Sequence, residues 1–143
     1  MKVAQILKAK GSDIATVPAT TSVAEVVRKL KERRVGALVV SPDGQSIDGI
    51  VSERDVVRGL AEQGGRVLES TAANLMTRSV VTCGPDDRVA ELMALMTEHR
   101  IRHLPVVADG RLAGIISIGD VVKNRVDELE NEAGALREYI AAS

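Results

Sequence analysis

Two serine–aspartate pairs are the residues of this 143-residue chain whose types and spacing best suit ligand chemistry. Ser52 stands three residues before Asp55, and Ser117 stands three residues before Asp120. An aspartate at a helix start can accept hydrogen bonds from two vicinal hydroxyls, as on a ribose, and a serine beside helix N-terminal amides suits a phosphate oxygen. Both residue types are also ordinary helix caps that need no ligand. The pattern leaves a nucleotide site and a pair of caps as open alternatives.

The two pairs belong to an internal repeat. Residues 49–57 and 114–122 carry glycine, serine, aspartate and paired valines at the same places, and residues 23–25 recur 66 positions later as 89–91. Each copy reads helix, strand, Asp-Gly turn, strand, Ser-x-x-Asp turn, helix. Two copies are too few for a solenoid, so the repeat predicts a pair packed face to face around a pseudo-two-fold axis.

Composition argues against several classes of function. The formal net charge is −1, so no strong field favours nucleic acid or an anionic membrane. One tyrosine is the only aromatic residue, which removes the stacking surfaces typical of single-stranded nucleic-acid binding. The single cysteine, Cys83, excludes an internal disulfide and fits a reducing compartment. No signal peptide is evident, and no apolar run approaches the ~20 residues needed to span a bilayer. We therefore expect a cytoplasmic protein.

The first copy reads as short elements built on aliphatic residues. Residues 2–10 predict an amphipathic helix ended by Gly11, and residues 14–17 predict a strand or extended lead-in. Thr21 or Ser22 is placed to cap the next helix. The remaining predictions are a buried stripe of Val23, Val26, Val27 and Leu30, strands at 37–40 and 47–51, and a helix from Asp55 to Gly64 and Gly65.

The second copy follows a linker at 66–79 that has a helical turn near 72–76. It is predicted to start at residues 80–82 and to form a hairpin from 104–107 and 112–116. Its first helix is expected to bury Val89, Leu92, Met93 and Met96. The last helix, from Asp120, carries a heptad seam of Val122, Val126, Leu129, Ala133, Leu136 and Ile140 that needs a partner surface, from this subunit or another.

The sequence gives little support for a metal site or for catalysis. His99 and His103 are four residues apart, but the helix is predicted to end near Arg100, so the two rings should not share a face. Neither a P-loop nor a dinucleotide-binding glycine motif is present. Cys83 has no nearby histidine in sequence to activate it. The sequence predicts a protein without a metal site and without enzymatic activity.

The chain resembles a tandem pair of cystathionine-β-synthase (CBS) domains, a Bateman module, over nearly all of its length. The resemblance rests on residues 23–57 and 89–122, and residues 52–55 and 100–105 are similar to those of the small stand-alone members. It implies an α/β class with a β-α-β-β-α fold per copy, a cleft for an adenosyl ligand, and assembly into a flat homodimer. The expected boundaries are 12–65 and 78–126 for the two CBS repeats, with an N-terminal helix at 1–11 and a C-terminal helix extension at 127–143.

The same resemblance implies roles for individual residues. Asp55 and Asp120 would hold ribose, Ser52 and Ser117 would hold phosphate, Arg102 and His103 would face phosphate, and Thr16, Val17, Val81 and Thr82 would flank adenine. The first copy has Gly36 and Ala37 where the second has Arg102 and His103, so Arg54 or Arg58 is expected to supply the missing charge. The two sites are therefore expected to differ, with longer phosphates at the site that has Arg102 and His103.

These features predict a regulatory module that binds an adenine nucleotide and controls a partner protein. AMP is the first candidate, with ATP, NAD(H) and S-adenosylmethionine as the others. A structural or protein-interaction scaffold with no ligand is the alternative, and an enzyme acting on a nucleotide is the third. A homodimer is expected because the apolar helix faces and the heptad seam exceed what two small sheets can cover.

Overall fold

A computed structural model describes residues 1–11 and 14–142. The predicted start of the first repeat at residue 12 and the last residue, 143, lie outside this part of the chain. The elements in chain order are α1 (Val3–Lys10), β1 (Thr16–Val17), α2 (Val23–Arg33), β2 (Ala37–Val40), β3 (Gly49–Ser52), α3 (Glu53–Gln63), a 3-10 segment (Gly64–Glu69), α4 (Ala72–Leu75), α5 (Val89–His99), β4 (His103–Ala108), β5 (Arg111–Ser117) and α6 (Ile118–Ala142).

The two repeats build related small sheets. In the first, β1 runs parallel to β2 and β2 pairs antiparallel with β3. In the second, β4 and β5 form the antiparallel hairpin, and a parallel bridge between Cys83 and Val106 corresponds to the Val17–Val40 pair of the first repeat. The α/β fold, with a long C-terminal helix, is therefore as expected.

The predicted helix faces are buried only in part. Ser22 caps α2, since its Oγ accepts a hydrogen bond from the Glu25 amide at 3.2 Å. Most of the predicted stripe is buried, but Val27 is 38% exposed and its counterpart Met93 on α5 is 39% exposed. A small sheet covers a narrower face of the helix than its apolar spacing suggests.

The predicted starts of α3, α6 and β3 were each wrong by two residues. Helices α3 and α6 begin at Glu53 and Ile118, two residues before the predicted Asp55 and Asp120, because the serine rather than the aspartate is the residue that precedes the helix. Strand β3 begins at Gly49 rather than residue 47.

Hydrogen bonds in the loop before β3 explain why this strand begins at Gly49 and not at residue 47. The Asp43 carboxylate accepts hydrogen bonds from the amides of Gln45 and Ser46, both at 2.9 Å, and these bonds keep the chain in the loop. The bonds from Ser46 and then Gln45 lower the pKa of Asp43 to about 2. The carboxylate is therefore ionised, and accepts these bonds, throughout the neutral range.

Helix α6 leaves its heptad seam open in this subunit. Val121 and Asn124 are its buried residues, whereas Val122, Val126, Leu129 and Leu136 are between 46% and 59% exposed. Among the described residues, none of the helices is both long enough and apolar enough to cross a membrane. The described residues of this subunit therefore leave the seam uncovered.

Glycines at equivalent strand positions give a test of this packing. A Cβ at Gly49 would lie 2.7 Å from the Thr77 carbonyl oxygen, whereas one at Gly114 would meet the end of the Leu7 side chain at 2.5 Å. We expect Gly49→Ala to lower the free energy of unfolding by about 1–3 kcal/mol, because backbone must move, and Gly114→Ala to cost less.

The control is Gly134→Ala in α6, where a Cβ would meet nothing within 4 Å. This change should raise the free energy of unfolding by up to about 1 kcal/mol, through helix propensity. Urea denaturation of the three variants measures these differences. Equal effects of Gly49→Ala and Gly134→Ala would contradict the packing described.

Candidate functional site

The first Ser-x-x-Asp turn is closed by reciprocal hydrogen bonds. The Asp55 Oδ2 accepts from the Ser52 amide at 2.8 Å and from the Ser52 hydroxyl at 3.1 Å. In return the Ser52 Oγ accepts from the Asp55 amide at 3.3 Å. Ser52 is thus the N-cap of α3 and Asp55 its third residue, an arrangement equivalent to a capping box.

The second turn repeats this geometry. The Asp120 Oδ2 accepts from the Ser117 amide at 2.9 Å and from its hydroxyl at 3.0 Å, and the Ser117 Oγ accepts from the Asp120 amide at 3.2 Å. The capping role that the sequence left open is therefore real in both turns. It holds each aspartate in a defined orientation and does not by itself exclude a ligand.

A cleft of about 750 Å³ lies against the first turn. Both repeats and the linker between them line it. Of the predicted site residues, it brings together Ser52, Arg54, Asp55, Arg58, Val81, Arg102 and His103; the other residues that line it are Gly36, Ile50, Glu53, Val57, Thr77, Ser79, Val80, His99, Arg100 and Ile101.

The placement of Arg102 and His103 corrects the sequence interpretation. They belong to the second repeat and were grouped with Asp120, yet they line the cleft beside Asp55. The start of β4 reaches the first repeat, where two ring atoms of His103 lie 3.1 Å from a Cβ built on Gly36. The glycine at this position leaves room for the imidazole, so Arg102 and His103 reach the first turn from the opposite repeat.

Two further arginines of the first repeat have their own partners. The Arg54 Nη1 donates to the Arg100 carbonyl oxygen at 3.1 Å, at the end of α5, and so ties the two repeats together. The Arg58 Nη1 lies 4.0 Å from the Asp55 Oδ1. Arg58 therefore partly balances the negative charge of Asp55, the residue expected to bind ribose. Arg54 instead makes a hydrogen bond across the cleft to the second repeat.

The remaining predicted adenine-flanking residues lie elsewhere. Val17 is 2% exposed and packs in the core of the first repeat, while Thr16 pairs with Val39 from the edge strand β1. Thr82 is exposed and does not line the cleft. The linker residues Thr77, Ser79 and Val80 line the cleft instead. Thr82 corresponds to Thr16 in the alignment of the repeats. It comes directly after Val81, the last residue of the linker segment that lines the cleft.

The second turn has a cationic neighbour that the sequence interpretation missed. The Lys10 Nζ donates to the Asp120 Oδ2 at 2.7 Å and to the Ile115 carbonyl oxygen at 2.8 Å. Burial opposes ionisation of the Asp120 carboxylate, but the hydrogen bonds from Lys10 and Ser117 outweigh it and hold its pKa below the ordinary value. The available signal was the position of Lys10 one helical turn after Leu7, on the apolar side of α1.

His103 stands between the charges of both turns. Burial of the ring lowers its pKa below the ordinary 6.5; Glu53 and Asp120 oppose this effect, and Lys10 and Arg102 reinforce it. The imidazole is therefore largely neutral at pH 7, and its contribution to phosphate binding as a cation begins at a lower pH than an ordinary histidine would allow.

The other candidates for chemistry are unsuited to it. Burial raises the pKa of the Cys83 thiol to about 12, with the Asp87 charge adding to the effect, so little thiolate exists near neutrality. Within residues 1–11 and 14–142, no group of three or more His, Cys, Asp and Glu side chains is arranged to hold a metal ion.

The lowered pKa of His103 predicts a pH dependence of stability. The unfolded chain takes up a proton on this ring near pH 6.5 whereas the folded chain resists it, so the free energy of unfolding should fall as the pH is lowered from about 8 through 6.5. His103→Gln should flatten this slope, and His99→Gln, at an exposed ring, should leave it in place. Urea melts at several pH values measure the slope; an unchanged slope in His103→Gln would contradict the assignment.

The model of the CBS domain family matches residues 4–62 and 72–127, one segment for each repeat. The mitochondrial CBS domain-containing protein CBSX3 of Arabidopsis thaliana is 36% identical over 146 residues, which cover 96% of this chain and 71% of that protein.

Solved structures share the fold over most of both chains. A CBS-domain-containing protein of Agrobacterium tumefaciens is 43% identical with a TM-score of 0.84, covering 87% of this chain and 92% of that one. A CBS domain protein of Pyrobaculum aerophilum, solved in complex with AMP, is 29% identical with a TM-score of 0.74, covering 84% and 89%. The chain therefore belongs to the CBS domain family, as a small protein with two CBS domains in tandem.

Proposed function

We propose that this protein is a regulatory module that binds an adenine nucleotide in the cleft beside Asp55 and controls a partner protein. The observation that carries the proposal is the cleft itself, which combines a fixed carboxylate from one repeat with Arg102 and His103 from the other. A carboxylate for hydroxyls and cations for phosphate, in one cleft, are the two requirements of a nucleotide.

The walls of the cleft suit an adenine base without aromatic stacking. Ile50, Val80, Val81 and Ile101 supply aliphatic surface, in a chain whose only aromatic residue is a tyrosine. Branched side chains can sandwich a flat ring by dispersion and by burial of apolar area. This composition favours an adenosyl ligand held between aliphatic walls.

AMP is the nucleotide that we expect first. The related protein of Pyrobaculum aerophilum, solved with AMP, supports this choice, while ATP, NAD(H) and S-adenosylmethionine remain the other candidates. Since Arg58, Arg102 and His103 all line the Asp55 cleft, a ligand with more than one phosphate should also prefer this cleft over that of Asp120. Thr16, Val17 and Thr82 are not part of the proposed contact surface, and Ser117 and Asp120 would serve a second cleft.

The scaffold alternative keeps one supporting observation, because both serine–aspartate pairs cap helices. If capping were their whole role, a change in the aspartate would affect stability alone. We further propose that the protein is not an enzyme and has no metal cofactor, nucleic-acid partner or membrane partner. The cytoplasm remains the predicted location, although the Arabidopsis relative is mitochondrial.

Asp55→Ala separates the nucleotide-binding proposal from the scaffold alternative. A carboxylate that accepts two ribose hydroxyl bonds contributes roughly 1.5–3 kcal/mol for each, so its loss should weaken AMP binding by about a hundredfold or more. Isothermal titration measures the affinity. The matched control is Asp48→Ala, at an exposed carboxylate in the loop before β3, which should leave AMP affinity as it is. Unchanged affinity in Asp55→Ala, with about 1 kcal/mol of stability lost, would favour the scaffold.

We also propose that the protein is a homodimer. The same positions are exposed in both repeats: Val27 and Met93 at 38% and 39%, and Val57 and Val122 at 65% and 48%. A two-fold dimer buries the same patch on both subunits, and the exposed apolar residues of α2, α3, α5 and α6 offer such a patch. Burying them stabilises association by about 25 cal/mol per Å² of apolar surface.

A double substitution on α6 tests the dimer. Val122→Glu with Val126→Glu places two charges in the proposed interface, at side chains 48% and 46% exposed, so the fold should survive and the dimer should dissociate. Light scattering after size exclusion, at micromolar protein, measures the mass. Leu68→Glu, at a 38% exposed residue of the 3-10 segment, is the control and should remain dimeric. A monomeric mass for the unmodified protein would contradict this proposal.

A further inference from the structure

Lys10 binds the carboxylate that a ligand of the second turn would need. Its ammonium group donates to the Asp120 Oδ2 at 2.7 Å and to the Ile115 carbonyl oxygen at 2.8 Å. The side chains of Lys10 and Asp120 are 35% and 23% exposed, so the ion pair is partly buried rather than fully in solvent. A ribose that uses Asp120 must share or displace this cation.

The position of Lys10 is fixed by the docking of α1. Val3 is fully buried and Ile6 is 8% exposed, and both belong to the core of the second repeat. Leu7 packs where Gly114 has no side chain. Lys10 follows Leu7 by about one helical turn, so the docking of α1 places the Lys10 ammonium group beside Asp120.

The first turn has a methionine at the place where the second turn has this lysine. The repeat offset of 66 residues places Met76 opposite Lys10 and Thr77 opposite Gly11. Around the first cleft, Thr77 exchanges backbone hydrogen bonds with Ile50 at 2.8 and 3.0 Å. In the second repeat the counterpart of Ile50 is Ile115, whose carbonyl oxygen accepts instead from Lys10. The two clefts therefore differ in the Lys10 contact as well as in the side chains that would face phosphate.

We propose that Lys10 is an internal competitor of the second cleft, which holds Asp120 and lowers the affinity of that cleft for an adenosyl ligand. The inference rests on the proposed function, since it assigns a specificity-determining residue to the second of the two nucleotide clefts. The Asp55 cleft then fills first, and the Asp120 cleft fills only when the ligand displaces Lys10.

Lys10→Met tests the proposal, because it replaces the lysine beside the second turn by the residue that aligns with it beside the first turn, Met76. Adenosine is the probe, since it has the ribose but no phosphate for a lysine to attract. In Asp55→Ala protein, which isolates the second cleft, Lys10→Met should raise adenosine affinity by about two- to fivefold, the gain expected when a partly exposed ion pair no longer has to be broken. High salt should shrink this gain by screening the ion pair. Isothermal titration measures both effects.

The reverse change and a control complete the test. Met76→Lys in Asp120→Ala protein should weaken adenosine binding at the first cleft, and Lys8→Met, on an exposed lysine of the same helix, should alter neither cleft. Equal or weaker adenosine binding after Lys10→Met, including no binding with or without it, overturns the inference. AMP binding that depends on Asp55 is measured separately, so the proposed function stands or fails by its own result.

Discussion

The structure depends on the reciprocal hydrogen bonds between a serine and an aspartate at each strand-to-helix turn. In both repeats the aspartate Oδ2 accepts from the serine amide and hydroxyl, and the serine Oγ accepts from the aspartate amide. These bonds fix where α3 and α6 begin and hold each carboxylate in place before any ligand arrives. A preorganised carboxylate loses little freedom on binding, so the cap and the proposed site are two roles of one turn.

The proposed site is a property of the pair of repeats. The first repeat supplies Asp55 and Arg58, whereas Arg102 and His103 come from the second, and the Arg54 bond to the Arg100 carbonyl oxygen joins the two sides. The first repeat alone would have the carboxylate and Arg58 but neither Arg102 nor His103. Binding at such a cleft would act on the relative position of the repeats, which gives a physical route from ligand to regulated partner.

Much of the fold follows from aliphatic spacing and from the duplication, which locate the helices, the hairpins and both turns. The exposure of Val27 and Met93 could not be foreseen, because spacing marks an apolar face without telling what covers it. Arg102 was grouped with Asp120 because both lie in the second repeat, whereas packing carries it to the first. The Lys10–Asp120 contact joins residues 110 positions apart, and only the docking of α1 brings them together.

The most direct test of the account is a crystal structure of the protein grown with AMP. We expect AMP in the cleft beside Asp55, with its ribose hydroxyls on that carboxylate and its phosphate against Arg102 and His103. We also expect that Lys10 remains on Asp120 while the first cleft is filled. AMP bound at Asp120 with the Asp55 cleft empty, or clefts empty in crystals saturated with AMP, would contradict the account.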